Sequence, residues 1–203
     1  MEKYTFNRVK DNLEGLGYSV RVFASAREAA EYLKGEINGV SVGIGGSVTA
    51  REMGLESLGE HNELHWHWLP AEGKTAADEL LAAQGTEVYI SSVNAIAESG
   101  EIVNIDGTGN RLASTLYGHK RVYFIIGRNK IAPDLESAVS RARNVAAPLN
   151  AKRLGKKTPC AISGEKCYNC KSPERICRAL SVFWQMPTGA KYEVLLIDEH
   201  LGY

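Results

Sequence analysis

From Lys3 to about Ala142, short apolar runs of strand length alternate with segments whose apolar residues recur at helical spacing. That alternation constrains the fold more tightly than any other feature of the chain. Phe6, Val9 and Leu13 mark a helix over residues 3–16 that Gly15 and Gly17 stop, and residues 18–23 read as a strand. Ser25 followed by Glu28 is a capping box for a second helix with Ala29, Ala30 and Leu33 inside. Residues 40–44 form a strand that runs into Gly45-Gly46-Ser47 and a third helix over residues 49–58. Residues 65–69 alternate like a strand, Thr75 and Asp78 open a helix over residues 76–84, and residues 87–92 are a strand. Val122-Tyr123-Phe124-Ile125-Ile126 is a buried strand, and Pro133 begins a helix through Leu135, Val139 and Ala142. Such a series predicts an α/β fold with a mostly parallel sheet flanked by helices. The remainder carries four cysteines and two β-like runs, residues 181–185 and 192–198.

With 203 residues, one α/β domain is expected over residues 1–203, with the cysteine segment, residues 156–180, inside it. Lys+Arg and Asp+Glu are both 24, so the net charge is zero. General electrostatic binding to nucleic acid or to an anionic membrane is thereby argued against. The N-terminus lacks the apolar stretch of a secretory signal, and no run approaches the roughly 18 apolar residues of a spanning helix. A cytoplasmic protein is expected, and there cysteines serve as disulfides least often.

Three constellations can carry chemistry. In the loop Gly43-Ile44-Gly45-Gly46-Ser47-Val48-Thr49, between strand and helix, glycines let main-chain N–H groups converge. Ser47 and Thr49 add hydroxyls, so Gly43, Gly45, Gly46, Ser47 and Thr49 are candidate contacts for a phosphate or carboxylate. The loop lacks the Gly-Lys-Ser/Thr ending of nucleoside-triphosphatases, and Val48 breaks the dinucleotide fingerprint. The second constellation runs from Asn94 to Glu98 and on through Asn104-Ile105-Asp106-Gly107-Thr108-Gly109-Asn110-Arg111. Glu98 or Asp106 can act as nucleophile or general base there, with Asn94, Asn104, Gly107, Thr108, Gly109, Asn110 and Arg111 contacting an anionic substrate. The plainer alternative is a hairpin turning at Glu98-Ser99-Gly100-Glu101. Lys130 and Arg128, just after a buried strand, stand where a ligand-contacting cation stands in this fold class, with a solvated loop as the equal alternative.

The third constellation is Cys160, Cys167, Cys170 and Cys177, within 18 residues. Thiolates are the ligands soft and borderline metals select, and four of them suit either a zinc ion or an iron–sulfur cluster. From Lys156 to Arg178, six Lys/Arg face two Glu, a compensating environment for negative thiolates. His65-Trp66-His67-Trp68 reads more cheaply as a half-exposed strand with Trp inward than as a metal pair.

Together the glycine loop, Asn94–Glu98, Asn104–Arg111, Gly127-Arg128-Asn129-Lys130 and residues 144–148 resemble the lactate-utilisation (LUD) domain family, of the protein C type. The tail from Thr158-Pro159-Cys160 to Cys177 resembles that of single-domain members with four cysteines. The resemblance implies a fold similar to the sugar-phosphate isomerase, glucosamine-phosphate deaminase and coenzyme A transferase superfamily. In that superfamily the equivalent glycine loop contacts a phosphate or acyl group, and Glu98-Ser99-Gly100 is reminiscent of the transferases' working glutamate. Two functions follow as expectations. One is an accessory or electron-transfer protein of lactate-type oxidation, with a 4Fe-4S cluster on the four cysteines, a small anionic metabolite in the loop, and a redox partner protein. The other is a transferase-like or isomerase-like enzyme for a phosphorylated or thioester metabolite, with a structural zinc or cluster site. A ligand-sensing or partner-docking module is the third reading, and a homodimer is compatible with the balanced charge.

Overall fold

The structure is a computed structural model that describes residues 3–203; Met1 and Glu2, which open the N-terminal stretch read above, lie outside them. The first half of the chain runs α1 (Lys3–Gly15), β1 (Ser19–Phe23), α2 (Ala26–Glu36), β2 (Ser41–Ile44), α3 (Val48–Glu52), β3 (Glu63–His65), α4 (Ala76–Ala83) and β4 (Val88–Ser92). The strands β5 (Ala95–Ala97) and β6 (Ile102–Asp106) follow, then α5 (Asn110–Leu116), β7 (Arg121–Gly127), β8 (Ile131–Ala132) and α6 (Leu135–Arg141). The helices α7 (Ala147–Arg153) and α8 (Pro159–Ser163) and the strands β9 (Ala179–Phe183) and β10 (Lys191–Ile197) complete it.

Six strands, all parallel, form the main sheet in the order β1-β10-β7-β4-β2-β3. Its central strands are apolar on both faces, as a parallel sheet covered on both sides requires. Tyr123 and Ile125 of β7 pack with Ala29 and Leu33 of α2 and Ala50 of α3. Val122, Phe124 and Ile126 pack with Phe6, Val9 and Leu13 of α1. Phe124 is fully buried, edge-on to Phe183 and stacked with Tyr192. Truncating it to alanine would cost about 3–5 kcal/mol.

The hairpin β5–β6 leaves the main sheet after β4 and builds a second sheet, β8-β5-β6-β9. Glu98-Ser99-Gly100 makes its turn, as the hairpin alternative has it.

Three sequence expectations need correction. The third helix ends at Glu52, because Gly54 takes a left-handed conformation (φ 66°) and the chain continues as a 3-10 turn over Leu55–Glu60. The strand around His65 starts earlier and stops there. The chain then folds into a turn closed by Leu69 N–H on the Trp66 carbonyl, 2.8 Å, which buries the Trp66 ring. The helix after Pro133 is capped by Asp134, whose carboxylate accepts from Ser137 N–H at 2.7 Å, and it runs on well past Ala142. A π-turn over Ala142–Ala146 joins α6 to α7 just before Pro148, which has no N–H for the regular ladder.

One topological consequence positions the site. From β2 the chain moves outward to β3, whereas from β4 it moves inward to β7. Connections that leave neighbouring strands in opposite directions open a crevice at their carboxyl ends.

Candidate functional site

A cavity of about 530 Å³ occupies that crevice. Gly46, Ser47 and Thr49 reach it from the loop after β2, and Ser92 and Asn94 from the end of β4. Asp106, Gly107, Thr108, Asn110 and Arg111 come from the β6–α5 junction, and Lys130 from the turn after β7. All of these but Ser92, which the sequence marks only as the end of a strand, are sequence-predicted site residues, and the fold brings them together. Gly43, Gly45, Asn104, Gly109, Glu98 and the four cysteines do not line the cavity.

Of these, the three glycines, Asn104 and Glu98 have structural occupations. A Cβ on Gly43 would stand 2.7 Å from the Ala83 carbonyl and 2.9 Å from the Tyr89 ring, so this glycine lets β2 approach the end of α4. One on Gly45 would stand 2.9 Å from the Tyr89 hydroxyl and 3.0 Å from Arg111 Cγ, so its bareness makes room for the arginine. Gly109 caps α5 with φ 93°. Asn104 accepts from Asn94 N–H at 3.1 Å, and Asn94 accepts from Ile105 N–H at 2.6 Å, a reciprocal clasp across the hairpin. Glu98 sits in the hairpin turn, paired with Arg8 at 3.3 Å, and its carbonyl accepts from Asn12. The structure does not bring it to the other site residues.

Asp106 does face the cavity, but its oxygens are committed. One accepts from Gly107 N–H at 2.7 Å, the other from Arg111 N–H at 2.9 Å and Leu112 N–H at 3.3 Å. The carboxylate therefore satisfies the first donors of α5, whose cap residue Gly109 has no side chain to do so. Ser47 plays the same part for α3, accepting from Ala50 N–H at 3.1 Å.

Lys130 is 3% exposed. Its Nζ donates to Ser92 Oγ at 2.6 Å and to Thr49 Oγ1 at 2.9 Å, and among the described residues no carboxylate pairs with it. Burial, then the neighbouring Arg141 and Arg111 guanidinium groups, pull its pKa down from 10.5 to about 7, against an opposing influence from Glu52.

Several wall residues escaped the sequence reading. His67 packs its ring against Gly46, where a Cβ would stand 3.3 Å from it. Burial, with Arg153 and Arg111 adding to it, lowers its pKa and keeps the imidazole neutral. The guanidinium groups of Arg51 and Arg153 both lie over the Trp68 ring, 4.4 and 4.9 Å from its centre. Asn150 and Arg153, one helical turn apart on α7, were the available signal for that wall. Besides Lys130, five cationic side chains (Arg111, Arg153, Lys156, Arg175 and Arg178) line the cavity against two carboxylates, Asp106 and Glu174. In a chain of zero net charge this is a concentrated positive field.

Arg175 also belongs to the cysteine segment. Its Nε donates to the Cys177 carbonyl at 2.8 Å and Sγ at 3.2 Å, and Nη1 to the Cys170 carbonyl at 2.9 Å. The Cys177 hydrogen bond, with Cys170 and Cys167 close by, raises its pKa further. Cys167 Sγ accepts from Asn169 N–H at 3.3 Å, Asn169 being left-handed (φ 46°), and Thr158 Oγ1 stands 3.3 Å from Cys160 Sγ. All four cysteines are partly exposed and none is in a disulfide. Among the described residues no group of three or more His, Cys, Asp or Glu side chains is arranged to hold a metal ion. The donor set nevertheless fits thiolate ligands: three sulfurs already face N–H or O–H donors, which is how protein groups stabilise bound thiolates.

Comparison with known proteins agrees with this architecture. A solved structure described as a DUF162 family protein from Deinococcus radiodurans shares the fold, with a TM-score of 0.55, 12% identity and 96% of each chain covered. No curated protein matches the sequence. Among the described residues no helix is long and apolar enough to cross a membrane. The LUD domain family model matches residues 6–197, nearly the whole chain, and the protein therefore belongs to the LUD domain family.

Proposed function

We propose that this LUD protein binds a small anionic metabolite in the cavity at the strand ends and holds an iron–sulfur cluster on Cys160, Cys167, Cys170 and Cys177. It then serves as an accessory or electron-transfer protein in lactate-type oxidation, working with a redox partner protein. The observation that carries the reading is Arg175, which lines the cation-rich cavity and hydrogen-bonds the cysteine segment at once. Anion site and thiolate set are thereby neighbours. A cluster, when bound, supplies one-electron transfer. Arg111 and Arg153 supply charge for a carboxylate or phosphate, and His67 and Trp68 close the side of the cavity. Zinc on the same thiolates is the structural alternative.

The transferase reading assigns the working carboxylate to Glu98 or Asp106. Glu98 is outside the site, and the Asp106 oxygens are engaged by three main-chain N–H groups. Protein purified without oxygen should show visible charge-transfer absorption with stoichiometric iron and sulfide, and calorimetry should register lactate, pyruvate or phosphate. A colourless protein with stoichiometric zinc removes the redox part. Failure of every small anion to bind removes the rest.

A further inference from the structure

The two hydroxyls around Lys130 each spend their own hydrogen on a main-chain carbonyl, Ser92 on Ile125 at 2.7 Å and Thr49 on Leu201 at 3.2 Å. Towards Nζ both oxygens can therefore only accept. An uncharged amine has two N–H bonds, and both are used, at 2.6 and 2.9 Å. Its remaining tetrahedral position is a lone pair, with no hydrogen-bond donor to it among the described residues. An ammonium would place a third N–H there without an acceptor, beside the like charges of Arg141 and Arg111 and opposed only by Glu52. Buried, doubly held and lining the cavity, Lys130 offers a nucleophilic nitrogen to whatever enters.

We propose that Lys130 captures the carbonyl group of a small 2-oxo acid as an imine. The inference rests on the anionic-ligand reading of the same cavity and names the ligand class. Two features select it: the surplus of cations calls for a carboxylate, and the free amine calls for an adjacent electrophilic carbonyl. Arg111 spends one N–H on the Ile105 carbonyl at 2.6 Å and keeps its other donors for that carboxylate. In the first step the Nζ lone pair attacks the carbonyl carbon, the C=O π pair moves to oxygen, and a proton passes from nitrogen to oxygen. In the second, the hydroxyl leaves with the remaining N–H proton as water and the carbon–nitrogen double bond forms. No oxidant or reductant is required.

Borohydride trapping tests the inference. The protein is incubated with pyruvate, reduced, digested and mapped by mass spectrometry, with calorimetric binding of pyruvate measured in parallel. One reduced pyruvyl adduct per chain is expected on the peptide carrying Lys130, with a yield that climbs as pH rises through about 7. The adduct should vanish in Lys130→Met, a near-isosteric change whose fold circular dichroism verifies. Because the map of the wild-type chain locates the adduct by itself, the test does not depend on that variant folding. Pyruvate that binds without an adduct at Lys130 overturns the imine and leaves the anion site standing. Neither binding nor adduct, also with glyoxylate and 2-oxobutyrate, overturns both. Adducts scattered over surface lysines, undiminished in Lys130→Met, overturn the imine as well.

Discussion

The two walls of the cavity are built on different principles. The inner wall is built where the parallel sheet ends beside β6 of the second sheet; there Ser92, Asp106 and Lys130 are buried and each polar group is met by main chain or by another buried side chain. The outer wall, from Gly164 to Arg178, contains no helix or strand and is largely exposed. It is tied to the rest by Cys167 N–H on Asn144, Arg143 on Cys167 and Asn169, Lys157 N–H on Glu174 and Arg178 N–H on the Asp106 carbonyl, and otherwise by bonds of its own: Arg175 to Cys170 and Cys177, Arg178 to Pro173 and Arg175. Segments with few buried apolar contacts open at a small fraction of the global free energy. A metal centre would fix such a wall, since binding energy there is folding energy. The inner wall needs no such help.

The largest effect is expected where the inner wall is broken. Asp106→Ala leaves the N–H groups of Gly107, Arg111 and Leu112 without their acceptor and should cost about 3–5 kcal/mol in urea unfolding. Asp106→Asn, which keeps an acceptor oxygen, should cost distinctly less. Equal losses in the two variants would mean that the carboxylate acts through its charge and not as the cap of α5.

Two glycines then compare the walls directly. A Cβ on Gly43 meets the Ala83 carbonyl at 2.7 Å inside the sheet, and one on Gly107 meets the Ile176 carbonyl at 2.6 Å in the cysteine segment. The clashes are alike, but only the second partner is free to move. Gly43→Ala should cost about 3 kcal/mol, Gly107→Ala about 1 kcal/mol, the latter with faster hydrogen exchange over residues 164–178. If Gly107→Ala is as costly as Gly43→Ala, the outer wall is as rigid as the sheet.

Lys130 gives the inner wall a pH signature. The folded chain releases its proton near pH 7 and the unfolded chain near 10.5, so between those values the unfolded state binds more protons. Stability contributed by this group is complete above about pH 10.5 and is lost as pH falls towards 7, with a slope of about 1.4 kcal/mol per pH unit. Lys130→Met should flatten that slope in unfolding curves taken across the window. An unchanged slope would place the buried charge elsewhere.

Legibility in the sequence followed the same division. The strand–glycine–helix pattern and the rule of strand carboxyl ends marked Gly46, Ser47, Thr49, Asn94, Asp106, Arg111 and Lys130, all of which face the cavity. Local sequence carries that information because the sheet converts it directly into position. Glu98 could not be placed this way: whether a carboxylate in a hairpin turn meets a glycine loop depends on which sheet the hairpin joins. Asn104 and Gly43 bear residue types common in sites, yet the structure uses them for a clasp and a close approach. His67, Arg153 and Arg175 come to the cavity from the turn after β3, from α7 and from the cysteine segment, so no single local pattern joined them.

The smallest expected change is also the one that separates the walls most cleanly. In protein stripped of metal, Cys170→Ser removes a partly exposed sulfur while the Cys170 carbonyl still receives Arg175 at 2.9 Å. Global stability should then move by less than about 0.5 kcal/mol. In protein reconstituted with iron and sulfide, or with zinc, the wild-type chain should gain thermal stability and exchange protection over residues 164–178, and Cys170→Ser should lose both gains. A loss above about 1 kcal/mol in the metal-free variant would tie the sulfur to the core, because only a group packed into the cooperative unit carries that much of its free energy. An outer wall that behaves so is part of the sheet's own structure, and the contrast between the walls fails.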